Sequence, residues 1–102
     1  MTKTTICVGL LDQTTKRQEI TTIDAFKIVS NIFAENECGV TITEGVGVYK
    51  HDDGTVVIEP TLVCVNYGAE TSEIEKACTV IKAALNQETV AIEVCESNSR
   101  FF

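Results

Sequence analysis

Two stretches of alternating apolar and polar residues, 40–50 and 55–67, are separated by the sequence HDDG. Within it, Asp53 and Gly54 favour a tight turn between antiparallel strands. This pattern constrains the fold more than any other feature, because it predicts a long β-hairpin in the middle of the chain. Pro60 has no N–H for the ladder, so we expect its nitrogen to face a sheet edge or a bulge.

The apolar period on either side of this hairpin predicts the rest of the fold. It indicates strands at 2–12 and 88–96, and helices at 21–36 and 70–87. The order β-α-β-β-α-β predicts an α+β, ferredoxin-like fold with a four-stranded antiparallel sheet and two helices on one face. We expect a single domain covering residues 1–102.

Three local signals predict where the helices begin and end. Thr21 followed by Asp24 is typical of an N-cap with an acidic first turn. Ser72 and Glu75 have the spacing of a capping box for the second helix. Gly39 is the left-handed residue expected just past the first helix.

Both faces of the predicted hairpin carry apolar side chains. Val46 and Val48 share one face, and Tyr49 and Val57 share the other. Because two helices cover only one face of a sheet, we expect the second face to meet another subunit or the C-terminal tail. A homo-oligomer, most simply a dimer, follows from this, with a merely exposed sheet face as the alternative.

Composition excludes several classes of partner. The net charge of −7 argues against DNA or RNA binding, which depends on clustered cations. No apolar run reaches the roughly 20 residues needed to cross a membrane, and the N-terminus does not resemble a signal peptide. The five cysteines include no C-x-x-C pair, which favours reduced thiols over a zinc site or a disulfide framework. We therefore expect a cytoplasmic protein without a membrane partner.

The residue types of common enzymes are sparse in this chain. His51 is the single histidine and lies in the predicted hairpin turn, where neither a catalytic triad nor a metal site is expected. Glu44 and Glu59 fall on facing strands, where a carboxylate pair is able to do acid–base chemistry but is more often solvated. The sequence predicts a protein that is not an enzyme and has no cofactor and no metal.

Two polar or glycine-containing segments are candidates for ligand contact. Gly45, Val46 and Gly47 lie within a predicted strand, where glycine indicates close approach of a ligand or of a neighbouring chain. Asn86, Gln87 and Thr89 stand where the second helix passes into the last strand. Their side chains are able to bind a polar ligand, or else simply cap the helix end.

The two arginines of this acidic chain both lie outside regular structure. Lys16 and Arg17 form a basic pair in the polar segment 13–20, and Arg100 is followed by two aromatic residues, the first being Phe101. Together they suggest a two-part clamp for an anion, with an aromatic ring beside it for a base. The alternatives are a solvated loop and a frayed or anchoring tail.

Several motifs together resemble the phage Thoeris anti-defence proteins, which sequester cyclic ADP-ribose-type signals. They are KRQEIT, GVTITEGVGVY, DGTVVIEPTLV and LNQETVAIEV, followed by a near-terminal arginine. The resemblance implies a phage-encoded protein that binds cyclic ADP-ribose isomers or cyclic di- and trinucleotides in the bacterial host cytoplasm without cleaving them. It further implies a homodimer or a hexamer built as a trimer of dimers. The alternative is a ferredoxin-like oligomeric interaction module with an unknown partner.

The resemblance also implies a role for each candidate residue. The implied contacts are phosphate and base at Arg17 and Gln18, the pocket wall at Gly45 and Thr89, and ribose and pyrophosphate at Asn86 and Arg100. Three positions remain open for the aromatic residue that stacks on the base: Phe26, Tyr49 and Phe101.

Overall fold

The element order of the computed structural model, which describes residues 1–50 and 52–102, confirms the predicted fold. The strands are β1 (Thr2–Gly9), β2 (Thr41–Lys50), β3 (Val56–Tyr67) and β4 (Ala91–Glu96), and the helices are α1 (Thr22–Glu35) and α2 (Thr71–Ala84). All three strand pairings are antiparallel, in the order β2-β3-β1-β4. His51 lies outside the described residues.

Alternate residues of the two central strands form the floor of the core. Ile6 of β1 is paired with Cys64 of β3, and Val8 with Leu62, and all four are fully buried. They face the apolar stripes of the helices, as the 3.6-residue period predicts. The buried helix residues are Ala25, Val29, Ile32, Phe33, Ile74, Ala77, Cys78 and Ile81.

The predicted N-cap of α1 is confirmed, whereas the capping box predicted for α2 is wrong. The Thr21 hydroxyl accepts a hydrogen bond of 3.2 Å from the backbone N–H of Asp24. Helix α2 begins two residues earlier than the proposed capping box requires, with Glu70 as its N-cap. Ser72 is therefore already inside the first turn and does not cap the helix.

Both helices end in the same hydrogen-bonded motif, and neither uses a glycine. After α1, Glu37 adopts a left-handed φ of 57°, so the prediction that Gly39 has this role is wrong. After α2, Asn86 adopts a φ of 47°. In each case the next N–H returns to a carbonyl of the last turn, Cys38 to Phe33 and Gln87 to Lys82.

Strand β1 ends opposite Thr61 of β3, and this leaves a two-stranded hairpin arm, here residues 46–50 and 56–58. The last β1–β3 pair joins Gly9 to Thr61, and the carbonyl of Pro60 accepts the N–H of Leu10 at 3.0 Å. Because the nitrogen and oxygen of a strand residue point to the same side, the Pro60 nitrogen faces the end of β1, which confirms the predicted edge position.

The hairpin arm carries apolar side chains that nothing in the described chain covers. Four apolar residues lie on the helix side of the sheet but beyond the helices, and each is 59–68% exposed: Val46, Val48, Val56 and Ile58.

Within the described residues, no helix is long and apolar enough to cross a membrane.

Candidate functional site

The face of the sheet opposite the helices, here called the open face, contains a cavity of about 840 Å³. Its floor is formed by residues of β1, β2 and β3 that alternate with the core residues. One end is closed by the loop after β1 and by the junction between α2 and β4. The residues on which the site depends are Gly9, Leu11, Lys16, Gly45, Gly47, Tyr49, Val57, Glu59, Thr61, Val63, Gln87 and Thr89.

A row of small residues makes the floor of this cavity shallow enough for a flat ligand. Gly9 is paired with Thr61, which is paired with Gly45, so three neighbouring strands contribute only one short side chain. A Cβ at Gly47 would lie 3.1 Å from the Thr61 hydroxyl. The close approach predicted for the mid-strand glycines is therefore available on this face.

Glu59 is the carboxylate that lies on this floor. Its Oε2 accepts a hydrogen bond of 2.9 Å from the backbone N–H of Leu11. The carboxyl group rests on Gly9, where a Cβ would lie 2.5 Å from Cδ and Oε1 and 2.6 Å from Oε2. Glu44 is paired with Leu62 on the opposite face, so the carboxylate pair considered from the sequence does not form.

The loop that closes the cavity is held by a network centred on Asn86. Its Nδ2 donates to Asp12 Oδ1 at 3.0 Å and to Thr14 Oγ1 at 3.1 Å, while its Oδ1 accepts from Gln13 Nε2 at 2.9 Å. The hydrogen bond from Asn86, followed by those of the Thr15 and Thr14 backbone, lowers the pKa of Asp12. Asn86 therefore orders the loop, and it does not line the cavity.

The cavity is negatively charged within the described chain. Asp12, Glu59 and Glu88 contribute carboxylates to its lining, and Lys16 is its one cation. Lys16 adopts a left-handed φ of 62°, in a loop closed by the hydrogen bond from its N–H to the Asp12 carbonyl at 2.8 Å. An anionic cavity in a chain of net charge −7 favours a cationic ligand.

Seven of the residues that the sequence marks as candidates for ligand contact line this cavity. They come from the loop after β1, from β2 and from the residues before β4, segments that are distant in sequence. They are Lys16, Gly45, Val46, Gly47, Tyr49, Gln87 and Thr89.

The basic residues and aromatic rings of the predicted anion clamp lie elsewhere. Arg17 Nε is 3.4 Å from Glu19 Oε1 on the surface, and Arg100 lies over the ring of Phe102 at 5.5 Å. Phe26 lines a groove between α1 and β2, and Phe101 lines another depression near the start of α2. Since neither arginine lines the cavity, the structure does not assemble the clamp there.

Gln18 is likewise engaged within its own loop. Its Nε2 donates to the Ile20 carbonyl at 3.0 Å and to Thr22 Oγ1 at 2.9 Å. These hydrogen bonds tie the end of the loop to the start of α1. The phosphate and base contacts assigned to Gln18 and Arg17 therefore remain predictions.

Sequence reasoning missed the residues that shape the cavity around Glu59. Gly9 reads as an ordinary strand-end glycine, and Leu11 acts through its backbone, which carries no residue-specific signal. Gln87 was recognised as a polar candidate, but its contact was not: it is 8% exposed and donates to the Leu11 carbonyl at 2.7 Å. The available signal was strand alternation, which places Glu59 on the same face as Tyr49 and opposite to Glu44.

The described residues contain no group of three or more His, Cys, Asp or Glu side chains arranged to hold a metal ion. The five cysteines are all free thiols. Burial, followed by the charges of neighbouring thiols, raises the pKa of Cys64 to about 12. Burial also raises the pKa of Cys78 to about 11, which leaves both thiols protonated at neutral pH.

Comparison with known proteins places this fold beside two groups of solved structures. A phage SAM lyase in complex with S-methyl-5'-thioadenosine has 20% identity, with 93% of this chain and 80% of that chain covered and a TM-score of 0.71. A phage SAM lyase in the apo state has 17% identity, with 92% of this chain and 78% of that chain covered and a TM-score of 0.66. CutA1 from Oryza sativa has 14% identity, with 97% of this chain and 84% of that chain covered and a TM-score of 0.61.

These likenesses establish the fold, since every identity is 20% or lower. No protein-family model matches the chain, and no curated protein is significantly similar to it in sequence. The prediction that the chain is not an enzyme is contradicted, because a phage lyase has this fold over nearly the whole chain. The absence of a histidine-based triad had suggested a binder, but a triad is only one of the ways in which carboxylate-containing cavities perform chemistry.

Proposed function

We propose that this protein is an enzyme that binds S-adenosylmethionine (SAM) in the open-face cavity and cleaves it, releasing methylthioadenosine. The observation that carries the proposal is the Glu59 carboxylate, held by the Leu11 N–H at 2.9 Å on the floor of an anionic cavity. The phage lyase of the same fold, which binds S-methyl-5'-thioadenosine, supports the choice of ligand.

Charge favours this substrate over an anionic nucleotide. SAM carries a permanent sulfonium cation and an ammonium group against one carboxylate. The cavity contains Asp12, Glu59 and Glu88, so it attracts such a ligand, and the net charge of −7 assists its encounter with the protein. In this proposal Glu59 binds the ammonium group and directs the methionine chain, and Lys16 binds the carboxylate.

The dimensions of the cavity also suit an adenosine derivative. A volume of about 840 Å³ lies within the roughly 300–1,000 Å³ typical of small-molecule sites. Tyr49 lies at the arm end of the cavity, where its ring offers a surface for the adenine. The row of Gly9, Thr61 and Gly45 leaves room for the ribose against the sheet.

The reaction needs no outside reactant. The bond between sulfur and the γ-carbon of the methionine chain breaks, and its electron pair passes to sulfur, which becomes a neutral thioether. The substrate's own carboxylate oxygen bonds to the γ-carbon and closes a lactone. Because the positive charge on sulfur disappears in this step, a sulfonium held over apolar Val57 and Val63 is destabilised relative to the transition state.

The test is incubation of the purified protein with SAM, followed by chromatography and mass spectrometry for methylthioadenosine. Glu59→Gln should lower the rate on the order of 100-fold, because the methionine chain loses its fixed direction. Glu93→Gln is the matched control, since Glu93 lies on β4 outside the cavity. If wild-type protein neither binds SAM in calorimetry nor releases methylthioadenosine, the proposal is wrong.

A second candidate ligand is a cyclic nucleotide signal of the cyclic ADP-ribose type. Seven residues implicated from the sequence, including Lys16 and Thr89, line one cavity, which supports this ligand. Two phosphates would meet three carboxylates there, which makes this ligand less favourable than SAM. Calorimetry with cyclic ADP-ribose isomers beside SAM decides between them: heat with the cyclic signal alone selects it.

Removal of SAM is also consistent with the predicted role as a phage anti-defence protein. Host enzymes that use SAM as a methyl donor would lose their cofactor in an infected cell. Expression of the wild-type chain should lower the cellular SAM concentration, and the Glu59→Gln variant should not. An unchanged SAM concentration with well-folded wild-type protein would contradict this role.

We retain the homo-oligomer as a proposal, with a dimer or a trimer of dimers as the expected forms. The apolar residues of the hairpin arm support it, because Val46, Val48, Val56 and Ile58 are each more than half exposed. Light scattering coupled to size-exclusion chromatography measures the mass. A monomer at all accessible concentrations would contradict the proposal.

A further inference from the structure

A second layer of residues surrounds Glu59 beneath the cavity. Just after β1, backbone groups of Leu10 and Leu11 take part in three hydrogen bonds. Leu10 N–H donates to the Pro60 carbonyl at 3.0 Å, and Leu11 N–H donates to Glu59 Oε2 at 2.9 Å. The Leu11 carbonyl accepts from Gln87 Nε2 at 2.7 Å. The residue that carries the donor to Glu59 is thus fixed on both sides.

Gln87 is placed to hold this segment against the end of α2. Its Nε2 also contacts the Leu85 carbonyl at 3.3 Å, and its backbone N–H donates to the Lys82 carbonyl at 2.9 Å. The side chain is buried, so it has little access to water in place of these carbonyls. Gln87 therefore joins the helix end to the peptide that holds Glu59.

Gly9 supplies the other half of the support. The carboxyl group of Glu59 occupies the space in which any other residue at position 9 would place its Cβ, with all three carboxyl atoms within 2.6 Å of that point. Since the carboxyl group is the far end of a flexible side chain, a methyl group at position 9 would move the carboxylate and leave the sheet in place.

We infer that Gly9, the Leu11 N–H and Gln87 form a socket that fixes the direction of the Glu59 carboxylate, with Gln87 as a positioning residue that acts through the Leu11 carbonyl. The catalytic part of this inference rests on the proposed function, because it requires Glu59 to bind the substrate. The geometric part concerns the free protein and does not depend on SAM.

The experiment compares Gly9→Ala with Gly39→Ala. The change is the same at both positions, but a Cβ at Gly39 has no atom within 4 Å. Gly9→Ala should keep its melting temperature close to that of Gly39→Ala and lose on the order of 10- to 100-fold in kcat for SAM cleavage, with a smaller change in KM. Gln87→Leu should give a smaller loss of kcat, because the hydrogen bond from the Leu10 N–H to the Pro60 carbonyl still holds the segment in place.

A readout without substrate separates failure of the socket from failure of the proposed function. In NMR spectra recorded at pH 7, the Leu11 amide proton of the wild type should lie further downfield than that of Glu59→Gln or Gly9→Ala, because only the wild type holds a charged carboxylate against this N–H. The Thr14 and Thr15 amides, which donate to Asp12 Oδ1 at 2.8 and 3.0 Å, serve as an internal reference.

Each outcome decides one of the two proposals. A Leu11 amide resonance in Gly9→Ala at the wild-type position, or full activity of that variant, overturns the socket. The expected downfield Leu11 amide in a wild-type protein that does not cleave SAM keeps the socket and overturns the proposed function. Gly39→Ala is expected to behave as wild type in both measurements.

Discussion

The two faces of the sheet come from the same strands and differ in what their residues do. On the helix side, Ile6 and Leu62 are fully buried and hold the fold together. On the open side, three residues away along each strand, Gly9 and Glu59 shape a cavity. The comparison shows that alternation divides one sequence into a set of residues for stability and a set for binding. Substitutions on the two faces should therefore change different measurements.

The largest effect on stability is expected on the helix side, at Phe33. This side chain is completely buried between α1 and the sheet, so Phe33→Ala should lower the free energy of unfolding by about 3–5 kcal/mol. Denaturant titration followed by circular dichroism measures the change. Phe26→Ala on the same helix is the control, because Phe26 is 45% exposed.

A similar loss of stability in Phe33→Ala and Phe26→Ala would contradict the division of roles between buried and exposed residues. A loss of more than about 2 kcal/mol in Phe26→Ala would mean that its groove is covered in solution, as in an oligomer. Equally, a loss of that size in Glu59→Gln would mean that the open face contributes to the core. The comparison predicts neither result.

The fold was predictable because local signals and the global arrangement agree. The Asp53-Gly54 turn signal between alternating stretches predicted the hairpin, although the last ladder pair joins Lys50 to Val56, so the connection is longer than two residues. The helix ends were predicted less well. Glu37 takes the left-handed conformation instead of Gly39, because the hydrogen bonds of the last turn decide that conformation.

The candidate site was predictable only in part, for a physical reason. Gly45 and Gly47 were recognised because glycine within a strand is unusual, and both line the cavity. Gly9 and Leu11 were missed because their contributions, an absent side chain and a backbone N–H, acquire meaning only through contact with Glu59. Contacts between segments almost 50 residues apart leave no local pattern.

A smaller effect, on binding and not on stability, is expected at Tyr49. If its ring stacks on adenine, Tyr49→Ala should weaken SAM binding by about 1–3 kcal/mol, a rise in Kd of roughly 5- to 150-fold. Both proteins are measured by calorimetry with the Glu59→Gln substitution also present, because this substitution slows turnover during the titration. The melting temperature should change little, because Tyr49 lies on the hairpin arm and is 47% exposed.

Tyr67→Ala is the matched control for this prediction. Tyr67 lies at the far end of β3, beneath the ammonium group of Lys3 at 6.0 Å, and is 40% exposed. It is similar to Tyr49 in type and exposure but does not line the cavity. Equal loss of SAM affinity in both variants would show that the ligand is not bound at the arm end of the cavity.

The cysteines also divide between the buried core and the open face, and the buried thiols make the free energy of unfolding depend on pH. Cys64 and Cys78 lie in the core and keep their protons to about pH 12 and about pH 11. Cys95 lies on the open side of edge strand β4 and is exposed. In the unfolded chain Cys64 and Cys78 ionise near their ordinary pKa of 9.0.

The smallest expected effect follows from this difference in pKa. Above pH 9 the unfolded state loses protons that the folded state retains at Cys64, so the free energy of unfolding falls as the pH rises from about 9 towards about 12. By pH 10 the contribution of Cys64 should be on the order of 1 kcal/mol. Urea titrations of wild type and Cys64→Ala at pH 7 and pH 10 measure it, since all other titrating groups are common to both proteins. The decline should be smaller in Cys64→Ala than in the wild type; an equal decline in the two proteins would contradict the burial of this thiol on the helix side of the sheet.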